Sequence, residues 1–207
     1  MSCNLFFLSV LLFTLSHSTT AKLQPPKLRL QLHLTHKISK QSGNPLIETA
    51  CRGVGSHEPQ CFDTLRSAPP HQQAAASELA FFTLRYVEDH AVNVTSKIKT
   101  IIGNFSELAP SLQAALSDCL DQYNPLDDLI EDAINELLGK SYEEAKKFLR
   151  AAITSIDVCD TQLKASNDEE KAEKKSEIEI EWSQDLRDYN DYLKGLLTAA
   201  QNILKAD

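Results

Sequence analysis

Cysteine has the most informative spacing in this chain. Cys119 and Cys159 each stand 20 residues from Gly139. Each lies in a run whose apolar positions recur at steps of four and three: Leu112, Leu116, Cys119, Tyr123, Leu126, Ile130, Ala133 and Leu137 before the glycine, then Ala145, Leu149, Ala152, Ile156, Cys159 and Leu163 after it. That periodicity predicts two amphipathic helices folded back on each other at Gly139. Residues equidistant from the bend of an antiparallel helical hairpin face one another, so the two sulfurs should meet about 30 Å from the turn. A disulfide there would close a loop of about 40 residues, worth roughly 4 kcal/mol in the chain-entropy view.

Other chemistry is sparse. The chain has no Gly-x-Ser-x-Gly elbow, no His-Glu-x-x-His, no phosphate-binding glycine loop and no Cys-x-x-Cys. His90 falls between Asp89 and Ala91 on a helical pattern, where it reads as a packed or surface histidine. His33 and His36 have no Cys or carboxylate at ligand spacing, so no metal is expected. The adjacent carboxylates Asp127-Asp128 and Glu131-Asp132 read as a solvated helix face. Without a catalytic set, metal or cofactor, the chain reads as a binding protein and not as an enzyme.

The ends set the compartment. Leu5 to Leu15 is an apolar and hydroxyl run of 11 residues followed by small polar residues. It is too short to span a bilayer but suits a signal-peptide core, with cleavage expected after Ala21. Residues 1–21 are therefore expected to leave with Cys3, and the chain to be secreted. Cys51, Cys61, Cys119 and Cys159 then form an even set in an oxidising compartment. The hairpin geometry selects Cys119 to Cys159, which leaves Cys51 to Cys61. Two glycosylation triplets, Asn93-Val94-Thr95 and Asn104-Phe105-Ser106, fit the same compartment. No second apolar run of membrane length follows, so no membrane partner is expected once the signal is removed.

Charge divides the chain. Lys22 to Pro45 holds five Lys or Arg and no acid, and reads as a basic flexible arm over 22–45. From Leu46 onward 16 bases face 29 acids, a balance of −13. An acidic body argues against nucleic acid and would help steer a basic partner.

Two short helices are expected at the start of the body. Asn44-Pro45 is a favoured cap and first-turn pair for a helix over Leu46 to Arg52. The cluster Gly53, Gly55, Ser56, Pro59 breaks it, and Pro59 to Ser67 starts a second. Cys51 and Cys61 straddle the break. Closing that loop of about 10 residues is worth about 3 kcal/mol, enough to hold so small a hairpin as a rigid projecting arm.

After Pro69-Pro70 comes a long helix with Ala80, Leu84, Val87, Ala91, Val94, Ile98 and Ile101 on one face. The central pair follows, with a kink expected near Tyr123 because Pro125 lacks an amide hydrogen. Ala165 to Glu177 is almost wholly polar and reads as a solvated connector or a frayed helix start. A last helix carries Ile178, Trp182, Leu186, Tyr189, Leu193, Leu196, Ala200 and Ile203. The expected fold is all-α. It is an up-down-up-down four-helix bundle over 72–207 with a short N-terminal helical hairpin extension over 46–68 and two disulfides.

These residues together resemble the plant invertase and pectin methylesterase inhibitor family. The segments carrying the likeness are Ile47 to Cys51, Cys119 to Tyr123, and Lys140 to Ala145 continuing through Ala151-Ala152-Ile153-Thr154 to Cys159. The resemblance spans 46–207 and implies a secreted, cell-wall or vacuolar inhibitor acting on one of two enzymes. Invertase inhibitors carry a Pro-Lys-Phe triplet in the loop after the second bundle helix. Here that loop reads Gly139-Lys140-Ser141-Tyr142, so the resemblance points to pectin methylesterase as partner, with acid invertase as the alternative. In the esterase branch, polar residues on the second and third bundle helices cap the carbohydrate cleft. Asp121, Asp128, Thr154 and Asp160 are the candidates at those places, while Val158 and Thr161 stand where the family usually has a polar residue and an acid. A reading outside the family is a non-inhibitory secreted bundle that stores or binds.

Overall fold

The structure is a computed structural model that describes residues 43–104, 108–168 and 177–205. The expected signal segment, most of the basic arm, and His33 and His36 lie outside the described residues. Seven helices and no strand occur among the described residues: α1 (Pro45–Cys51), α2 (Glu58–Arg66), α3 (Ala76–Asn104), α4 (Pro110–Tyr123), α5 (Leu126–Leu138), α6 (Tyr142–Asp168) and α7 (Glu177–Ile203).

The apolar seams become the core. Every seam position read before Gly139 is at most 2% exposed, and every one after it is 0% exposed. Each fully buried Leu or Ile contributes about 1.5–3 kcal/mol. The packing closes a ring in which α3 meets α4 and α5, these meet α6, α6 meets α7, and α7 returns to α3. That is the four-helix bundle, with α4 and α5 together forming its second rod. Cys119 and Cys159 are joined, with Cα atoms 4.5 Å apart.

The second rod departs from the expected kinked helix, because it is broken in two. Pro125 cannot donate to the carbonyl one turn back and its ring crowds that carbonyl, so α4 stops at Tyr123. Asn124 and Pro125 keep right-handed φ and ψ, and Leu129 N–H donates to the Pro125 carbonyl to restart the ladder. The two pieces therefore stay in line well enough to face α6 throughout. Of the polar stretch from Ala165, residues 165–168 continue α6, and 169–176 lie outside the described residues.

The α5–α6 turn is closed by a Schellman motif. Ser141 N–H donates to the Glu136 carbonyl and Lys140 N–H to the Leu137 carbonyl. The left-handed residue this motif needs is Lys140, at φ 61°, and not Gly139, at φ −75°.

The N-terminal hairpin is stapled as expected, Cys51 to Cys61, but it does not project. It lies along α7 with Ile47, Ala50, Cys51, Cys61 and Leu65 all at most 1% exposed. Asn202 Nδ2 donates to the Ala50 carbonyl at 3.2 Å, and Thr64 Oγ1 shares a 2.7 Å hydrogen bond with Tyr192 OH. The hairpin's own apolar face needs a partner, and α7 supplies one. Gly195 permits the close approach, since a Cβ there would sit 3.3 Å from the Val54 carbonyl oxygen.

Candidate functional site: the face of the central helical pair

The disulfide fixes the register of α4–α5 against α6, and with it the level of each candidate contact. Residues equidistant from Gly139 stand side by side, so Asp121 is level with Asp157, Asn124 with Thr154, and Asp128 with Arg150. Asp121, Asp128 and Thr154 are exposed, as are Asp118, Asp132, Asp157 and Arg150. The Thr154 hydroxyl donates to the Arg150 carbonyl at 2.9 Å, which fixes its rotamer. Val158 and Thr161 are exposed as well, and Thr161 Oγ1 donates to the Asp157 carbonyl at 2.9 Å. The outer surface of this pair is acidic, polar and set on rigid helices.

Asp160 is the exception among the four candidates. It is 4% exposed and faces α7, so it is not a surface contact. It instead anchors a buried network beside the disulfide. Tyr123 OH donates to Asn190 Oδ1 at 2.5 Å, and Asn190 Nδ2 donates to Asp160 Oδ1 at 2.6 Å. Lys194 Nζ donates to Asp160 Oδ2 at 2.6 Å. The network thus runs from Tyr123 on α4 through Asn190 on α7 to Asp160 on α6, which also accepts from Lys194 on α7, and it ties the second, third and fourth rods together. Lys194 also reaches Asp157 and Asp191, each at 2.9 Å, so one ammonium holds three carboxylates.

The titration behaviour follows from this packing. Burial works against the charge on Lys194, but its hydrogen bonds to Asp160, Asp157 and Asp191 outweigh it and raise its pKa. Burial pushes the Tyr123 phenol well above its usual range, helped by the negative charge of Asp160 and by Tyr189. Burial likewise raises Tyr189 and Tyr192. Asn190 was not singled out from sequence. A signal existed, since it lies four residues after Leu186 and three before Leu193, an apolar-stripe position held by an amide.

Two of the described histidines, His90 and His57, pack against aromatic rings, while His71 is exposed. His90 stacks on Tyr86 at 4.0 Å between ring centroids, and its Nδ1 lies 2.7 Å from the Tyr86 carbonyl. A carbonyl only accepts, so Nδ1 holds the proton. His57 is 5% exposed at the start of α2, with its ring edge against Tyr192 and Nε2 3.3 Å from Asp188 Oδ1. Neither histidine is placed beside a nucleophile, and the four cysteines from Cys51 to Cys159 are all oxidised. Among the described residues no group of three or more His, Cys, Asp or Glu side chains could hold a metal ion. No helix among them is long and apolar enough to cross a membrane. Asn93 is exposed on α3, and the side chain of Asn104 lies outside the described residues.

Two solved structures share this helical fold. A crystal structure of mutant form A of a pectin methylesterase inhibitor from Arabidopsis superposes with a TM-score of 0.59 at 18% identity, covering 77% of this chain and 95% of that one. A crystal structure of a pectin methylesterase inhibitor from Arabidopsis thaliana gives 0.52 at 17% identity, covering 80% and 97%. At these identities the likeness speaks for the helical fold. No curated protein sequence matches the chain. The family model described as plant invertase/pectin methylesterase inhibitor matches residues 45–203, which takes in both disulfides and every helix described above. The protein therefore belongs to the plant invertase/pectin methylesterase inhibitor family.

Proposed function

We propose that the protein is a secreted proteinaceous inhibitor that occludes the active-site cleft of pectin methylesterase by non-covalent 1:1 binding. Family membership over residues 45–203 carries this reading. The geometry adds a physical reason for binding. Asp121, Asp128 and Thr154 sit on helices whose register is locked by the Cys119–Cys159 bond and by the Tyr123–Asn190–Asp160–Lys194 network. A face held this way loses little conformational freedom on association, so more of the contact energy appears as affinity. The α5–α6 turn lacks the Pro-Lys-Phe triplet, which favours the esterase over acid invertase as target. Its acidic face should speed association with a basic partner at low ionic strength.

The test is to incubate oxidised protein with pectin methylesterase and with acid invertase and measure residual activity of each. Loss of esterase activity that saturates at one inhibitor per enzyme and weakens with salt supports the reading. Unchanged esterase activity at micromolar protein, across several isoforms, removes it. Loss of invertase activity alone would transfer the same face to the other target.

A further inference from the structure

α3 carries a chemical feature that lies outside the candidate face on α4, α5 and α6. Its inner face, with Ala91, Val94 and Ile98 at most 2% exposed, packs into the bundle. Its outer side holds Asp89, Val92, Asn93, Ser96 and Thr100, all exposed. Val92 is 53% exposed, one of three large apolar side chains left on the surface of the described residues. Asn93 begins the triplet Asn93-Val94-Thr95, and Asn104 begins a second one 11 residues later. Eleven residues are about three helical turns and an advance of about 16 Å, so the two backbone positions share one side of α3.

Within the folded helix the triplet is not arranged for modification. Asn93 Nδ2 donates to the Asp89 carbonyl at 2.8 Å, and Thr95 Oγ1 donates to the Ala91 carbonyl at 3.0 Å. Each side chain turns back along its own turn of helix and neither addresses the other. A transferase that reads the asparagine amide together with the hydroxyl two residues on needs these groups presented in a non-helical conformation.

We propose that Asn93 carries an N-linked oligosaccharide that is added before α3 folds. The bond formed joins Nδ2 to the anomeric carbon of the first sugar. The bond broken joins that carbon to the pyrophosphate of a lipid-linked oligosaccharide donor. The lipid pyrophosphate leaves, and one amide proton passes to the transferase. Nδ2 keeps its second hydrogen, and the sugar projects from an exposed position beside Val92. The outer side of α3 then becomes a solubilised face, set apart from the α4–α6 surface. This proposal does not depend on which enzyme is the target.

The experiment translates the full chain, behind an appended cleavable signal peptide, into microsomes. A mass increment removed by peptide N-glycosidase should appear. It should be lost from Asn93 in Asn93→Gln and Thr95→Ala and retained in Thr95→Ser. In parallel, folded and oxidised protein from a bacterial host is presented to detergent-opened microsomes. It should stay unmodified at Asn93 until it is reduced and denatured. Absence of any increment at Asn93, including a sugar found only at Asn104, overturns the proposal. Modification of the folded protein as readily as the nascent chain overturns its order of events.

Discussion

Replacing Asn190 with alanine should weaken the fold far more than its size suggests. The side chain is 0% exposed and serves three buried partners, Tyr123 at 2% exposure, Asp160 at 4% and the Cys159 sulfur at 3.3 Å. Its removal leaves the Tyr123 hydroxyl without an acceptor, which costs about 1–3 kcal/mol. It also removes a hydrogen bond to a carboxylate, worth about 1.5–3 kcal/mol. Asp160 keeps Lys194, so the upper end of that sum is not reached. A loss of about 3–4 kcal/mol is expected, a large share of a domain stability of about 5–15 kcal/mol. Urea unfolding of the oxidised protein reads it directly. With a slope of about 2 kcal/mol per molar the midpoint should fall by about 1.5–2 M. Tyr123→Phe alone should cost about 1–2 kcal/mol, because it strands Asn190 Oδ1. The double variant should cost at least about 1 kcal/mol less than the sum of the singles, since both remove one shared bond. Additivity within about 0.5 kcal/mol would refute the argument that the two side chains act through each other.

Gly195→Val should undock the N-terminal hairpin, because a side chain there runs into the Val54 carbonyl. Limited proteolysis should then cut within 43–67 while the far-UV signal of the bundle persists. Lys140→Gly should raise thermal stability by up to about 1 kcal/mol, since relief of a left-handed residue, about 1–2 kcal/mol, exceeds the backbone entropy cost of glycine. A fall in melting temperature would show that Lys140 makes a compensating contact. Asp185 has its carboxyl raised above the ordinary 3.8 by burial, then by Glu181 and Asp188. A raised folded value means its protonated form stabilises the fold in acid and that this contribution is lost as pH rises through the folded value. Asp185→Asn should therefore be more stable than the parent at pH 7, with the gain vanishing below about pH 4. Lys194, also raised, works the other way round in range: its contribution is complete at neutral pH and is lost only in strong alkali.

The bundle was legible because its helices obey a single period over long stretches. Steps of three and four located the buried faces of α3, α6 and α7, and the symmetry of Cys119 and Cys159 about Gly139 gave the register of the central pair. Three features were not legible in this way. Pro125 signals a disturbance, but whether a helix bends or breaks depends on how the next turn restarts, here through the Pro125 carbonyl. The hairpin's docking on α7 depends on contacts from residues more than a hundred positions away, such as Thr64 with Tyr192. The αL residue of the α5–α6 turn was obscured by Gly139, a glycine one position too early to need its freedom.

Asp160 shows why surface candidates are the hardest residues to read. Periodicity places it one step beyond Cys159, at the margin of the buried stripe, where a carboxylate is ordinarily solvated. Burying it requires a cation and a donor on the facing helix, and α7 supplies both, with Lys194 one turn after Asn190. Nothing in the local sequence of α6 announces this, because the compensation comes from residues 30 and 34 positions later. The same arrangement bears on binding. Lys194 spends its charge on Asp160 and on the rim carboxylates Asp157 and Asp191, so these two are held in place, and the acidic field toward solvent arises chiefly from α4 and α5. A salt-dependent association should accordingly respond more to Asp121→Asn and Asp128→Asn than to Asp157→Asn. The reverse ranking, measured as association rates with the esterase at low ionic strength, would move the contact from the second rod toward the seam between α6 and α7.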